Sequence, residues 1–400
     1  MTDRPSFIDF PIAEYEARLS RAQAAMAAAG LSALLVTTQG NVRYFTGHSS
    51  HRWWQTTAPQ FALVPREGRP VLLAPGIEAG RAGQNPWLGS FVAFGSYQRI
   101  GIAELVKAVK DLGLEGKAIG AELGLGFHLG MPVDDLRLLE RELPGTHLVD
   151  ATDLFWSLRI PKSAAEADVL RQACAITGRA FDTLLATAKP GMTEKQLCSV
   201  MVQAVMAEGA DWPGSIPLGS RTPGTSHPED AHLRLPTDRP VRAGDVVWLD
   251  AGCILKGYWA DIMRMFSIGR ADAASRAAYR FIWEATQASI AAAKPGRPMG
   301  ETVAPVEKML RASPYDAQLA DRLKTARIGH GVGLDLTEPP SMSYDERLEL
   351  VPGMVLTIEP SILVPGLGFF MVEEDVLITE DGNEILSPPA PSELPEAAAG

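Results

Sequence analysis

The 400-residue chain contains only three cysteines, Cys174, Cys198 and Cys253, which excludes a disulfide framework and favours a reducing compartment. No apolar run approaches the roughly 18 residues that a membrane-spanning helix needs. The N-terminus also lacks the basic and then apolar pattern of a secretory signal. We therefore expect a cytoplasmic protein that does not enter a membrane.

Basic residues are also fewer than acidic residues. The chain has 37 Lys and Arg against 48 Asp and Glu, and its formal net charge is -11. Such a chain repels phosphate backbones, so we expect no nucleic-acid partner. Residues 101–126 are rich in glycine but lack the G-x-G-x-x-G pattern after a strand, which argues against a dinucleotide site. The hydrophobic fraction of 46% is enough for sizeable cores, and the length suggests two or three domains.

The first part of the chain alternates between helical and strand patterns. Apolar residues recur at helical spacing over residues 12–29 and are followed by an apolar strand over 31–36. Looser copies of this pattern continue to residue 151. We predict an α/β domain with a parallel or mixed sheet over residues 1–151, followed by a linker over 152–162.

The second part contains an internal repeat. Helical segments at 164–188 and 273–293 are each followed by Lys-Pro-Gly and a second helix. Residues 241–250 and 350–359 also match each other, because in both a turn glycine precedes an apolar strand that ends in a carboxylate. This duplication predicts an α+β domain with a pseudo-two-fold axis and a site between its two halves.

We place this duplicated domain at residues 163–390. The chain from Ser387 onward is rich in proline and alanine, so the last residues, 391–400, are expected to form a frayed tail.

Four carboxylates occupy equivalent points of the two halves. Asp250 ends an apolar strand, and a hairpin turn halfway to Asp261 would bring the two side chains face to face, roughly 4.5–5.5 Å apart. Glu359 and Glu373 are related in the same way around a second glycine turn. Opposed like charges are destabilising unless a cation lies between them. The two pairs therefore predict an oxygen-rich cage for two metal ions.

His330 is expected to complete this cage. Gly329 and Gly331 flank it, and glycine allows neighbouring backbone to approach closely. A site that combines imidazole with carboxylates suits Mn, Co, Fe or Zn better than Ca or Mg.

These residues resemble a known family, the pita-bread metallopeptidases, which include methionine aminopeptidase, prolidase, aminopeptidase P and creatinase. The N-terminal α/β domain resembles that of the longer members. The motifs that carry the resemblance are Asp250, Asp261-Ile-Met-Arg264, Gly329-His330-Gly331, Gly353-Met-Val-Leu-Thr-Ile-Glu359-Pro360 and Val372-Glu373-Glu374-Asp375-Val376.

The resemblance implies a role for each of the five ligands. Asp250 would bind one metal, His330 and Glu359 the other, and Asp261 and Glu373 would bridge the two. Glu359 would also handle the proton of the attacking water.

Two assignments have competitors. The resemblance implies a histidine ahead of Asp250 that steadies the oxyanion or the leaving group. His232 is preferred for this role, and His227 is the alternative. Glu374 competes with Glu373 as the last ligand, because neighbours on a strand point to opposite faces.

Several family positions differ here. Thr337 stands where the peptidases have a substrate-contacting histidine, Ala326 where prolidase-type members often have another, and Met371 where aminopeptidase P-like members have an arginine. Trp53 and Trp54 lie in a loop that in two-domain relatives can reach the active site of a neighbouring subunit. Thr337, Trp53, Trp54 and His227 are the candidate substrate contacts, and the changes at 326, 337 and 371 put ordinary Xaa-Pro cleavage in doubt.

The sequence therefore predicts a dinuclear-metal hydrolase that cleaves an amide or peptide bond, most like an Xaa-Pro dipeptidase or aminopeptidase. The alternatives are a creatinase-like C–N hydrolase or lyase acting on a small non-peptide substrate, and an inactive binding homologue. The expected cofactors are two divalent ions (Mn, Co, Zn or Fe), and the resemblance implies a homodimer. Arg264 is expected to pair with a carboxylate beside the metals.

Overall fold

The chain divides into two compact units, Met1–Arg159 and Ile160–Gly400. The computed structural model describes residues 7–55, 59–95, 101–225, 234–315 and 327–398. Within these ranges no helix is both long and apolar enough to span a membrane.

Unit 1 is built around one six-stranded sheet with the strand order β4-β3-β2-β1-β5-β6. Its elements in chain order are α1 (Ile12–Ala28), β1 (Ala33–Val36), α2 (Gln39–Thr46), β2 (Phe61–Pro65), β3 (Val71–Pro75), α3 (Ala79–Ala82), β4 (Ser90–Phe94), α4 (Ile102–Asp111), β5 (Ala118–Ala121), α5 (Val133–Glu142), β6 (His147–Asp150) and α6 (Thr152–Arg159).

The prediction of a mixed α/β sheet in unit 1 is confirmed. Strands β1 and β2 run antiparallel, whereas β1 and β5 run parallel. Strands β1, β2 and β3 are buried along their whole length, as their unbroken apolar sequences predict. The segment expected as a linker contains α6, whose Phe155 and Trp156 are buried.

Helix α2 was not predicted, because its local sequence is polar and contains glycine. A tertiary contact organises its first turn. The fully buried carboxylate of Glu122, just beyond β5, accepts hydrogen bonds from the N–H of Thr37 at 2.7 Å and from the side chain of Asn41 at 2.6 Å. Thr38 donates to the same carboxylate.

Unit 2 contains two larger sheets, of orders β19-β11-β8-β7 and β13-β12-β14-β17-β18. Its elements are α7 (Ala164–Thr187), α8 (Glu194–Ala207), β7 (Leu218–Arg221), β8 (Val246–Ala251), β9 (Ile254–Leu255), β10 (Tyr258–Trp259), β11 (Ile262–Ile268), α9 (Ala273–Ala292), α10 (Val303–Arg311), β12 (Arg327–Gly331), β13 (Glu338–Ser343), β14 (Val355–Ile358), β15 (Ser361–Val364), β16 (Gly368–Met371), β17 (Glu374–Ile378), β18 (Asn383–Ile385) and β19 (Glu396–Ala397).

The predicted helix repeat is confirmed. Helices α7 and α9 each end before a Pro-Gly turn, and the glycines of the two turns, Gly191 and Gly296, both adopt positive φ values of 89° and 75°. Glycine reaches this conformation without steric cost, so both turns stop the helix at the same point. In the second copy a short 3-10 helix, Met299–Thr302, precedes α10.

The register predicted for the first hairpin was wrong by two residues. Asp250 on β8 faces Met263 on β11, and not Asp261. Gly252 lies beside the backbone of Ala260, whose carbonyl oxygen would be only 1.5 Å from a Cβ at position 252. Side chains on a strand alternate with a period of two, so this shift leaves Asp261 on the face of Asp250, as its diagonal neighbour.

The second hairpin has the register that its sequence predicts. Ile358 pairs with Glu374 where β14 meets β17. The same register continues into β15 and β16, whose tip contains Gly366 at a φ of 78°. One step beyond the Ile358 pair, Glu359 therefore lies opposite Glu373.

The C-terminal segment differs from the expected frayed tail. Strand β19 pairs in parallel with β11, and Leu394 is buried in the core of unit 2. The free edge of β11 and an apolar pocket for Leu394 hold this proline-rich segment in place as far as residue 398.

Candidate metal centre

Five side chains predicted from the sequence come together in unit 2. Asp261, His330 and Glu373 are buried and offer ligand atoms that all lie within 4.8 Å of one another. His330 Nε2 is 3.6 Å from Asp261 Oδ2 and 3.5 Å from Glu359 Oε1. The side chain of Asp250 lies within hydrogen-bonding reach of the carboxyl groups of Asp261 and Glu373. The cluster thus joins carboxylates from both halves of the repeat around one histidine.

Strand ends position the carboxylates. Asp250 is the fifth residue of the six-residue strand β8, and Asp261 immediately precedes β11. Glu359 immediately follows β14, and Glu373 immediately precedes β17. The apolar residues of these strands are buried in the core. Their packing therefore fixes the acids in buried positions, which are unfavourable for an unpaired carboxylate.

The backbone of the next residue orients the ring of His330. Its Nδ1 lies 2.9 Å from the carbonyl oxygen of Gly331, and this contact assigns the proton to Nδ1 and leaves Nε2 as an acceptor. Burial lowers the pKa of His330 to about 4, so the ring is neutral at pH 7. The predicted close approach at Gly329 is confirmed, because a Cβ there would lie 2.0 Å from the carbonyl oxygen of Thr357.

Burial and mutual repulsion oppose ionisation of the acids. Burial raises the pKa of Glu359 to about 7 and raises that of Asp250, with neighbouring carboxylates adding to the effect at Glu359. Burial, followed by the charges of adjacent acids, raises the pKa values of Asp261 and Glu373 well above their usual range. Such a cluster is costly at neutral pH without a compensating positive charge.

The arrangement fits divalent cations. The acceptor Nε2 of His330 points at oxygens of two carboxyl groups, and Glu373 Oε2 is buried without a hydrogen-bond partner among the described residues. Converging acceptors repel one another unless a proton, a donor such as water, or a cation lies between them. A set of one imidazole nitrogen and several carboxylate oxygens suits Mn, Fe, Co or Zn.

The neighbours of Glu374 distinguish it from Glu373. Glu374 accepts hydrogen bonds from Arg264 Nη2 at 2.7 Å, from the N–H of Ala390 at 2.8 Å and from the hydroxyl of Ser387. These three donors bind the carboxylate of Glu374 on the face of the strand that points away from the cluster. These contacts favour Glu373 as the metal ligand.

Exchanging each glutamate for glutamine separates the two roles. Glu373→Gln is expected to reduce the bound metal from about two ions per chain to about one or fewer, because a carboxylate predicted to be shared by both metals loses its charge. Glu374→Gln is expected to retain the metals but to lower the free energy of unfolding by about 1–3 kcal/mol, because a buried ion pair with Arg264 is broken. Elemental analysis after dialysis and thermal unfolding measure these effects. The reverse pattern would make Glu374 the ligand.

Arg264 and Asp375 lie directly beside the cluster. Arg264, which we expected to pair with a carboxylate, joins the two halves by donating to Glu374 and, at 2.6 Å, to the carbonyl oxygen of Glu373. Sequence reasoning did not select Asp375, although the acidic run Glu373-Glu374-Asp375 contained a signal. Alternation along a strand places Asp375 on the face of Glu373.

The positions that differ from the family pattern include one exposed and one buried residue. Thr337 is exposed in the bend between β12 and β13. Met371 is buried in the core on β16, and its N–H lies 3.4 Å from Met265 Sδ. Ala326 lies outside the described residues.

The remaining candidates stay predictions. His227 and His232 both lie outside the described residues, so the choice between them is open. Trp53 and Trp54 belong to unit 1, in the short 3-10 helix His51–Trp54. The indole of Trp53 is partly buried.

Comparison with protein families yields two matches, one for each unit. Residues 168–380 match the model of metallopeptidase family M24. Residues 18–160 match that of the creatinase/prolidase N-terminal domain.

Individual proteins agree with these matches over nearly the whole chain. The "Probable dipeptidase PepE" of Mycobacterium tuberculosis is 30% identical over 370 residues, which cover 92% of this chain and 93% of that protein. The crystal structure of the dipeptidase PepE from Mycobacterium ulcerans matches with a TM-score of 0.78 at 28% identity, over 97% of this chain and 99% of that one. An Xaa-Pro dipeptidase from Bacillus anthracis, 23% identical, shares the fold with a TM-score of 0.81 over 96% and 99% of the two chains. The predicted two-domain fold is confirmed.

Proposed function

Because this chain belongs to metallopeptidase family M24, we propose that it is a dinuclear-metal dipeptidase that hydrolyses small peptides. The chain is a metallohydrolase of the peptidase class. Dipeptidase relatives that align over more than nine-tenths of the chain support the substrate class. The observation that carries the proposal is the convergence of the acceptor atoms of Asp261, His330 and Glu373.

Two divalent ions would be held by Asp250, Asp261, His330, Glu359 and Glu373, with Asp261 and Glu373 shared between them. Bound there, they would neutralise the acids, polarise the scissile carbonyl and lower the pKa of a water molecule towards neutrality. The remaining chemistry rests on the side chains of this chain.

Glu359 is the group best suited to move a proton. Its side chain is 18% exposed, against 9% for Asp261, so water and substrate can reach it. With the metals bound, this accessible carboxylate would accept a proton from water and return it to the leaving amine. His330 keeps its neutral form at this pH, with Nδ1–H held by the Gly331 carbonyl, and so serves as a ligand and not as an acid.

The finer assignments extend this proposal. His232, with His227 as the alternative, would stabilise the oxyanion or the leaving group, and Thr337 would donate a hydrogen bond to the substrate. Trp53 and Trp54 would contact substrate from the neighbouring subunit of a cytoplasmic homodimer. The native metal would be Mn, Co, Zn or Fe.

An activity screen on metal-loaded protein tests the proposal. With added Mn or Co, we expect hydrolysis of Xaa-Pro or other dipeptides that a chelator abolishes and re-addition of metal restores. Longer Xaa-Pro peptides separate a dipeptidase from an aminopeptidase. A protein that binds no transition metal would refute the proposal.

Full metal occupancy without turnover of any peptide would favour a second candidate, hydrolysis or lysis of a small non-peptide C–N bond. The specific observation for it is Met371, because a buried apolar side chain stands where aminopeptidase P-like members have an arginine. The same screen with small amides and ureido compounds would then identify the activity.

A further inference from the structure

Asp375 is a buried carboxylate that the catalytic proposal does not use. It lies on β17, opposite Thr357 of β14, and is fully buried. Its Oδ2 accepts two hydrogen bonds, from the N–H of Asp261 at 3.0 Å and from the thiol of Cys174 at 3.1 Å. Its Oδ1 is buried without a partner among the described residues.

These contacts tie three separate elements together. Cys174 belongs to α7, Asp261 to the chain just before β11 in the first half of the repeat, and Asp375 to the second half. A buried carboxylate costs several kcal/mol, and an apolar side chain of similar volume would fill the same space without that penalty. The hydrogen bonds that Asp375 accepts therefore explain its position better than packing does.

One of these hydrogen bonds comes from the backbone N–H of Asp261, a residue of the proposed metal centre. Asp261 precedes β11 and faces Gly252, so the regular pairing of β8 with β11 begins only one residue later. The hydrogen bond to Asp375 anchors the Asp261 N–H at this point. Anchoring the N–H restricts the backbone of Asp261 and with it the direction of the carboxylate whose Oδ2 lies 3.6 Å from His330 Nε2.

The thiol of Cys174 is a suitable second anchor. Burial raises the pKa of Cys174 well above its usual range, so the thiol keeps its proton and donates it to Asp375 at neutral pH. The side chain is fully buried, and helix α7 around it spans 24 residues, which makes it a rigid support.

We propose that Asp375, braced by Cys174, is a positioning residue that sets the orientation of Asp261 for metal binding. This inference rests on the proposed metal centre. Groups that hold metal ligands in place typically contribute 10–100-fold to metal affinity, so the role is measurable apart from turnover.

Paired variants at each position test this role. Asp375→Leu removes the acceptor at similar volume and is expected to weaken Co binding by about 10–100-fold and to change the visible absorption spectrum of the Co-loaded protein. Asp375→Asn keeps an oxygen that can accept from the Asp261 N–H and is expected to stay within about threefold of wild type. Cys174→Ala is expected to weaken binding less than Asp375→Leu does, and Cys174→Ser, which keeps a donor, to restore it.

Asp245→Asn is the matched control. Asp245 is also fully buried in unit 2, but it is ion-paired with Arg239 at 2.7 Å and accepts its other hydrogen bonds from Thr222 and from the N–H of Arg242. This variant is expected to lower the unfolding temperature while Co affinity and the Co spectrum stay unchanged.

Wild-type Co affinity and an unchanged spectrum in Asp375→Leu and Cys174→Ala would overturn the positioning role. If Asp375→Leu does not fold, the Cys174 pair decides the question alone. A wild-type protein that binds no Co would instead refute the proposed function, so the two failures are distinguishable.

Discussion

Asp261→Asn is expected to lower kcat/KM of the metal-supplemented protein by about 10³-fold or more, which corresponds to about 4 kcal/mol of transition-state stabilisation. The physical reason is that Asp261 is proposed to bridge both ions, and an amide cannot neutralise them or donate a charged oxygen to each. Kinetics on the best dipeptide of the screen and metal analysis of the same sample measure the effect together.

The fold is expected to survive this substitution. Burial and adjacent carboxylates raise the pKa of Asp261 well above its usual range. The ionised side chain therefore destabilises the metal-free protein. Metal-free Asp261→Asn should therefore be at least as stable as metal-free wild type at pH 7. Asp245→Asn, which breaks the ion pair with Arg239, should show the opposite pattern, with lower stability and normal turnover. Full activity in Asp261→Asn would contradict the bridging role.

Metal-free protein is expected to lose stability as the pH rises from 5 to 7. The folded-state pKa values of Glu359 and Asp375 are raised to about 7 from usual values of 4.5 and 3.8. A raised pKa means that the folded state holds its protons more tightly than the unfolded chain. The resulting stability is fully present below the unfolded values and is lost as the pH rises through about 7. Each such group contributes about 1.4 kcal/mol per pH unit within this window.

Two buried histidines act in the opposite direction, because burial lowers the pKa of His48 as well as that of His330. The pKa of His330 falls from its usual 6.5 to about 4, so its contribution is present above 6.5 and is lost as the pH falls towards 4. Asp250, Asp261 and Glu373 also have raised pKa values. Five carboxylates with raised pKa values therefore outweigh the two histidines, and the stability of the metal-free protein still falls as the pH rises.

Denaturant unfolding of chelator-treated protein between pH 5 and pH 7.5 measures this slope. Saturating Mn or Co should raise the stability most at the upper end, because cations replace the protons that the acids lose there. In the metal-free state Glu359→Gln should show a shallower slope than wild type, since one titrating group is gone. If the free energy of unfolding of metal-free wild type instead rises steadily from pH 5 to pH 7.5, repulsion among the buried acids does not control its stability.

Local sequence predicted the second hairpin better than the first. Between Glu359 and Glu373 two strands of equal length surround a glycine turn, so the midpoint of the sequence is also the midpoint of the hairpin. In the first hairpin the turn lies at Lys256 and Gly257, both at positive φ, one residue later than the midpoint of Asp250 and Asp261. A turn that moves by one residue shifts the register by two.

The sequence by itself determined which residues meet at the site. The repeat, the strand-terminal acids and the glycine-flanked His330 depend on periodicity and turn chemistry, which are local properties of the chain. Glu373 and Glu374 stayed competitors at the level of strand alternation, and only tertiary contacts show that Glu374 pairs with the scaffold and that Asp375 lies beside the cluster. Alternation shows that Glu373 and Asp375 share a face, but only the elements packed against each face, with Arg264 on one side and α7 on the other, determine which face the site occupies.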